Sequence, residues 1–475
     1  MNRAVFWGLC AVLLFIPLPF GGVEEWAVFA FEAAVFGLFA LHVADTISSR
    51  GKNGEPADAP GPTVPLWGKW LLAVFLAAAV LQLIPLPGGM LRVISPRTFE
   101  VHRSMHSGSF PELGGQGWRA VSLVPALSVS ELIKYVFYFL FGWLVFNHVT
   151  TKKRIETFVL VMIGAGVFES FYGLAELFGG GEKIFGYKKV YHVGSATGTF
   201  INRNHCAGFL EMILPLSLGY LLAKADFFSF RKGMGLKDKI LWFSQERLQK
   251  CIVYGLSAAV IGLGICFTRS RTGIFVFFTA VFLMAVSLSM AGGRRKHSRR
   301  KRQVRIIRTV VLVVLSSAVL IGIKPVIERF SWKDLMREQR PIYFRNTVEM
   351  IKDFPLLGTG AGSYVFVYGM YEKTCDPVLV DHAHNDYLEL AAESGLVAAA
   401  CLVLFAWGAL GWLWGRWWKR RDQLVRGIVL GCLVGVAAVL IHSLTDFNLR
   451  IPANAVYFVT LYALAFRVVG TKFDE

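Results

Sequence analysis

The stretch DHAHNDYLELAAESGL brings Asp381, His382, His384 and Asp386 together within a few residues. Histidine is the side chain that exchanges protons near neutral pH, and neighbouring carboxylates can orient it. His384 is therefore the first candidate for a general base acting on a hydroxyl. A bound metal is the competing chemistry, with His382 and His384 joined by Asp381, Asp386 or Cys375. The periodicity of His384, Leu388, Ala391 and Gly395 reads as one helical face. On a helix, residues two apart point away from each other, so His382 and His384 would make poor joint ligands, and no metal site is expected.

Arginines form a second set. Arg269 and Arg271 lie in TRSRTG, Arg203 in FINRNH, and Arg340 and Arg345 in DLMREQRPIYFRN. A guanidinium stays charged and presents a planar fork that binds phosphate oxygens in pairs. Ionisable residues inside otherwise apolar runs form a third set: Glu169, Glu176, Glu211 and His442. Such groups are costly in lipid and need a cavity or a partner. The segment HSLTDFNLRIPAN adds Asp446, Asn448 and Arg450 next to His442, a group suited to supporting a site rather than forming one.

The elements that must position these residues are membrane helices. Apolar residues make up 55% of the 475-residue chain and charged residues 17%, with a mean hydropathy of +0.52. That balance excludes an ordinary soluble globule. Apolar runs near the roughly 20 residues that cross a bilayer fall at 4–20, 26–43, 69–87, 131–148, 156–178, 206–223, 251–268, 273–291, 309–325, 395–415, 427–443 and 453–468. Backbone polar groups cannot stay unpaired in lipid, so the runs must be helices. The expected fold is all-α, a polytopic membrane protein of about twelve transmembrane helices forming a single domain over 1–475.

The net charge of +18 invites a nucleic-acid reading. The basic runs instead lie between apolar spans: Lys152-Lys153-Arg154, Arg294 through Arg308, and Arg416 through Arg421. That is the signature of cytoplasmic loops. Placing the 294–308 tract inside puts both termini inside, and the first span reads as a retained helix without a cleavage site. The outer loops are then 88–130, expected to be irregular, 179–205, and 326–394 between spans nine and ten. Within the last, 334–353 reads as helical with a break at Pro341 and an apolar stripe of Tyr343, Val348 and Ile351 lying on the membrane surface. Every candidate except the deeper acids lands on the outer side. Of the seven cysteines most lie within spans, while Cys206 and Cys375 fall on the outer side, which leaves a bridge between them open. Neither tandem repeats nor the paired halves of inverted-repeat transporters are visible.

Four stretches carry a resemblance: GTFINRNHCAGFLEMILPL, FTRSRTG, DFPLLGTGAGSY and HAHNDYLELAAESGLV. In order and spacing they resemble the motifs of the O-antigen ligase, O-antigen polymerase and protein O-oligosaccharyltransferase superfamily, over a core of 195–455. The resemblance implies a glycosyltransferase-type enzyme without metal or cofactor in the bacterial inner membrane. It implies transfer of an undecaprenyl-pyrophosphate-linked glycan to a lipid, glycan or protein acceptor on the extracytoplasmic face. His384 would be the base, with Arg271 and Arg203, joined by Arg340 and Arg345, binding the donor pyrophosphate. Asn385, His382, Ser270, Asn204 and Asp446 would support them. A transporter or flippase of lipid-linked saccharides, or a non-catalytic partner in envelope polysaccharide assembly, is the alternative. Transporters place their key groups near the bilayer midplane, whereas these cluster at one surface.

Overall fold

The computed structural model describes residues 2–50, 64–107, 117–225, 246–290, 297–331, 339–372 and 379–471. Among them, ten helices are long and apolar enough to cross a membrane. They are α2 (Glu25–Arg50), α6 (Pro125–His148), α7 (Lys152–Phe178), α8 (Arg203–Lys224), α9 (Glu246–Phe267), α10 (Arg271–Met290), α11 (His297–Ile321), α15 (Asp386–Trp418), α16 (Gln423–His442) and α17 (Pro452–Gly470). Two shorter apolar helices, α1 (Asn2–Phe15) and α3 (Leu66–Leu81), complete the order expected from hydropathy. The chain is an all-α polytopic membrane protein. Its strands are two-residue pairs, Leu86–Pro87 with Trp118–Arg119 and Lys183–Ile184 with Tyr187–Lys188.

The centre of the bundle is the antiparallel contact of α8 with α16, both almost wholly buried. Its cause is legible in GIVLGCLVG. Gly427, Gly431 and Gly435 recur every four residues, and a Cβ on any of them would run into the α8 backbone at Gly219, Leu216 or Met212. Small residues at this spacing let helix backbones approach within contact distance, where dispersion between close-packed atoms replaces the hydrophobic drive that lipid does not supply. The consequence is positional. The first residues of α8 lie beside the turn that follows α16, bringing Asn204 next to Asp446.

Between the spans, the longer connecting segments hold more structure than their composition suggests. The 88–130 stretch carries α4 (Gly88–Ile94) and α5 (Pro96–Ser107). In the largest connection, α12 (Lys324–Glu328), α13 (Arg340–Asp353) and α14 (Tyr364–Tyr368) precede α15. Pro341 occupies the first turn of α13, where a proline has no backbone bond to lose, and residues 334–338 of the expected helical stretch lie outside the described residues. The stripe read as apolar is divided between two environments. Val348 is exposed, and α13 buries Asn346, Thr347 and Met350. Asn346 Nδ2 donates to Tyr368 Oη at 3.0 Å and Thr347 Oγ1 lies 2.7 Å from Tyr364 Oη. The face combines these hydrogen bonds to α14 with an apolar cluster in which Tyr343 and Ile351 pack against Met350, Phe354 and Tyr368.

Candidate functional site

Four segments converge at one end of the bundle: the start of α8, the 443–447 turn after α16, the start of α13 and residues 379–385 before α15. Asp446 is where they meet. Its carboxylate, fully buried, accepts from Asn204 Nδ2 at 2.6 Å, Arg340 at 3.1 Å, its neighbour's backbone N–H (Phe447) at 3.0 Å and His384 Nδ1 at 3.1 Å. The His205 Nε2 is 3.8 Å away. Burial alone would raise this carboxyl, but the His205 and His384 imidazoles and the Arg340 guanidinium hold it well below the usual carboxylate range. An ionised carboxylate only accepts, so His384 carries a proton on Nδ1, and in the neutral ring Nε2 is the atom with the free lone pair.

His384 is held by its neighbours. Its φ of 51° is in the left-handed region, where a non-glycine residue costs about 1–3 kcal/mol and needs surrounding contacts to hold it. Those contacts come from the next two residues. Asn385 caps α15, accepting from the N–H of Tyr387 and Leu388, while its Nδ2 donates to Leu444 O at 2.8 Å. Asp386 N–H donates to Ser443 O, and its carboxylate accepts from Ser443 Oγ at 2.6 Å and Leu449 N–H at 3.0 Å. The His-Asn-Asp run is thereby stitched to the 443–449 turn. Tyr343 of α13 stacks near the ring, and Phe447 meets it edge-on at 5.0 Å.

This overturns one expectation. His384 does not share a helical face with Leu388; α15 starts at Asp386, and both histidines precede it in extended or turn conformation. The span expected at 395 therefore begins nine residues earlier and is broken at Gly395, whose φ of 77° and ψ of 162° are non-helical. The helical-spacing argument against a metal on His382 and His384 loses its premise. Among the described residues no group of three or more His, Cys, Asp or Glu could hold a metal ion. Cys375 lies outside the described residues, and Cys206 is buried within α8.

A second imidazole is held in the same way as the first. His382 Nδ1 donates to Glu389 Oε1 at 2.7 Å, and Glu389 is gripped by the Ala383 N–H at 2.8 Å and by Arg450 Nε at 3.1 Å. Arg450 also pairs with Glu393. Burial would lower His382, but the Glu389 carboxylate outweighs it and raises the imidazole above its ordinary value. The ring lies flat on Phe447 with centroids 4.0 Å apart.

Of the arginines, Arg340 bridges α13 to Asp446. Arg203 donates to Ser195 Oγ at 3.4 Å and lies within electrostatic reach of Arg329, Arg271, Arg340 and Arg269. The Nε atoms of Arg203 and Arg269 are buried without a hydrogen-bond partner among the described residues. Ser270 is not a reactive hydroxyl here. Its Oγ accepts from Gly273 N–H at 3.1 Å and caps α10, which Arg271 opens. Thr272 Oγ1 lies 2.9 Å from Thr445 Oγ1, tying that turn to the residue beside Asp446. Arg345 is exposed on α13 and makes no hydrogen bond or ion pair among the described residues; the structure does not bring it to this cluster. His192 joins the cluster instead: burial, then the Arg203 charge, push it down to about 4.

Sequence reasoning missed His205, Arg329, Glu389, Glu393 and Phe447 as site components. Glu389 and Glu393 had a signal, since they follow Asn385 at helical spacing on a buried face. Arg329 had only its place in an outer loop. The deeper acids are paired: Glu211 with His442 at 3.0 Å, Glu176 with Lys189 at 2.8 Å, and Glu169 with Thr199. Beside the site, a cavity of about 660 Å³ runs between α3, α6, α15 and α17. Its walls are apolar (Phe75, Leu402, Phe458), and Asp386, Ser443 and Arg450 line its site end.

Fold and site together define a multi-pass membrane protein with a histidine–carboxylate dyad beside an arginine cluster. Residues 256–403 match the family model described as O-antigen ligase. The match supports the O-antigen ligase and polymerase superfamily and, in general terms, glycan transfer by a ligase-type enzyme. It covers Arg271, Arg340 and His384 and ends before Asp446. No curated protein matches the chain significantly.

Proposed function

We propose that this protein transfers a glycan from an undecaprenyl-pyrophosphate donor to an acceptor hydroxyl on the extracytoplasmic face of the bacterial inner membrane. The observation that carries the reading is the His384–Asp446 dyad set against Arg203, Arg269, Arg271, Arg329 and Arg340. His384 Nε2 takes the proton from the acceptor hydroxyl as its oxygen attacks the anomeric carbon. Asp446 holds the ring and stabilises the imidazolium. The bond from the anomeric carbon to the pyrophosphate oxygen breaks, and the arginines receive the charge that collects on the leaving group. They supply the positive field a divalent ion would otherwise provide, so the transfer is taken to proceed without one. The apolar cavity offers room for a substrate's hydrocarbon chain next to the reacting groups. The catalytic motif lies in the 326–394 loop and the transfer core spans 195–455.

The test is single-turnover transfer from an undecaprenyl-pyrophosphate oligosaccharide by matched amounts of each variant in detergent. His384→Ala is expected to lose about 10²–10⁴-fold in rate, the usual contribution of a general base. His384→Gln keeps a hydrogen-bonding side chain but relays no proton, and is expected to fail almost as badly. A glutamine variant near the wild-type rate would remove His384 as the base. A strong chelator should leave the wild-type rate unchanged.

A further inference from the structure

The site contains two copies of one arrangement. In the first, His384 Nδ1 is held by Asp446, which is held by Arg340. In the second, His382 Nδ1 is held by Glu389, which is held by Arg450. Both carboxylates are buried, both imidazoles are about a quarter exposed (26% for His384, 29% for His382), and both rings pack on Phe447. A histidine with only a structural task has no need of an exposed edge and an arginine-backed carboxylate together. With Nδ1 occupied, the remaining polar atom of His382 is Nε2.

The two triads face different charges. Asp446 and Arg340 belong to the arginine cluster around Arg203. His382 instead has Glu389, Asp381 and Arg450 as its charged neighbours, and the nearby imidazoles His205 and His384. A pyrophosphate drawn to the cluster would leave the His382 side of the base to the other substrate. We propose that His382 is an acceptor-binding residue, whose partly exposed imidazole presents Nε2 to an oxygen of the acceptor adjacent to the attacking hydroxyl. The inference rests on the transfer reading above and adds a residue that fixes the acceptor's pose. Its pH dependence follows from Glu389, which keeps His382 protonated above the ordinary histidine range. The Nε2 donor is therefore retained to higher pH than on an ordinary histidine and lost as pH rises through the folded value.

The experiment is steady-state kinetics of the full chain, varying an undecaprenyl-pyrophosphate oligosaccharide donor and a lipid A–core acceptor independently. His382→Ala is expected to raise the acceptor KM about tenfold to a hundredfold, the loss of one charge-assisted hydrogen bond. Donor KM and kcat at saturating acceptor should stay near wild type. His382→Gln, which can donate but carries no charge, should recover part of the acceptor affinity and abolish the rise of acceptor KM at alkaline pH. An unchanged donor KM also shows that the variants are folded, so loss of Glu389's partner is not mistaken for loss of a contact. The proposal is overturned by an unchanged acceptor KM in both variants, by a raised donor KM, or by a fall in kcat alone. A wild-type chain that transfers nothing overturns the transfer reading and this inference together, whereas wild-type transfer with unaffected variants overturns only the inference.

Discussion

At the scale of single residues, the arginines test whether charge or shape matters. Arg271 opens α10 directly after the Ser270 cap, so its backbone position is fixed. Arg271→Lys keeps the charge and loses paired donation to two phosphate oxygens. Transfer is expected to fall at least tenfold while membrane abundance is unchanged, measured by the single-turnover assay. Equal rates would show that paired binding by Arg271 plays no part. His192 makes a different prediction. Its folded value, about 4, is below the ordinary 6.5 because burial and the Arg203 charge disfavour the cation. The unfolded chain thus binds the proton first as pH falls, and stability is lost between about 6.5 and about 4. His192→Asn tolerates the left-handed φ of 56° and does not titrate. A thermal-melt series should show a shallower acid decline for the asparagine variant, and parallel curves would refute this.

At the scale of elements, the placement of His384 depends on a lock between the FPLLGTG segment and the kink in α15. Leu396 N–H donates to Pro355 O at 2.8 Å, Thr359 N–H to Ala392 O at 3.0 Å and Gly360 N–H to Glu393 O at 3.0 Å. The two backbones come so close that a Cβ at Gly358 would run into Glu393 O, and one at Gly395 into Leu356 O. Both glycines also have positive φ. Gly395→Ala therefore combines a backbone clash with a strained conformation, together costing about 2 kcal/mol or more. Its thermal midpoint in detergent should fall, and protease should cut the 355–395 region faster than in wild type. A variant as resistant as wild type would show that the close approach is not required.

At the scale of the whole molecule, the basic tracts predict an orientation in the membrane. The positive-inside bias of the 294–308 tract predicts a cytoplasmic side, and alternation of the spans then predicts the convergent site on the other. A reporter active only outside the cytoplasm should be silent when fused after residue 300 and active when fused near 376. The reverse pattern would move the whole site to the cytoplasmic face and exclude an extracytoplasmic donor.

Hydropathy and charge are summed along the chain, so the sequence alone determined the helices, their number and order, and the candidacy of His384, Asn204, Arg203, Arg271, Arg340 and Asp446. Local context misled where a short motif had two backbone solutions. HAHNDYLEL has helical periodicity, yet Asn385 sets the start of the helix by accepting from the N–H groups of Tyr387 and Leu388, and that choice is made by contacts with Leu444 and Ser443 far along the chain. The partnership of His384 with Asp446 spans 62 positions and that of Asn204 with Asp446 spans 242. No local pattern encodes either, because both exist only once the glycine stripe of α16 has drawn α8 to backbone contact. The same holds for Arg345, equal to Arg340 in sequence and left exposed by the direction α13 takes. Residue type and periodicity announce what a side chain can do; which groups it meets is decided by helix packing, where distances of a few ångströms depend on every intervening contact.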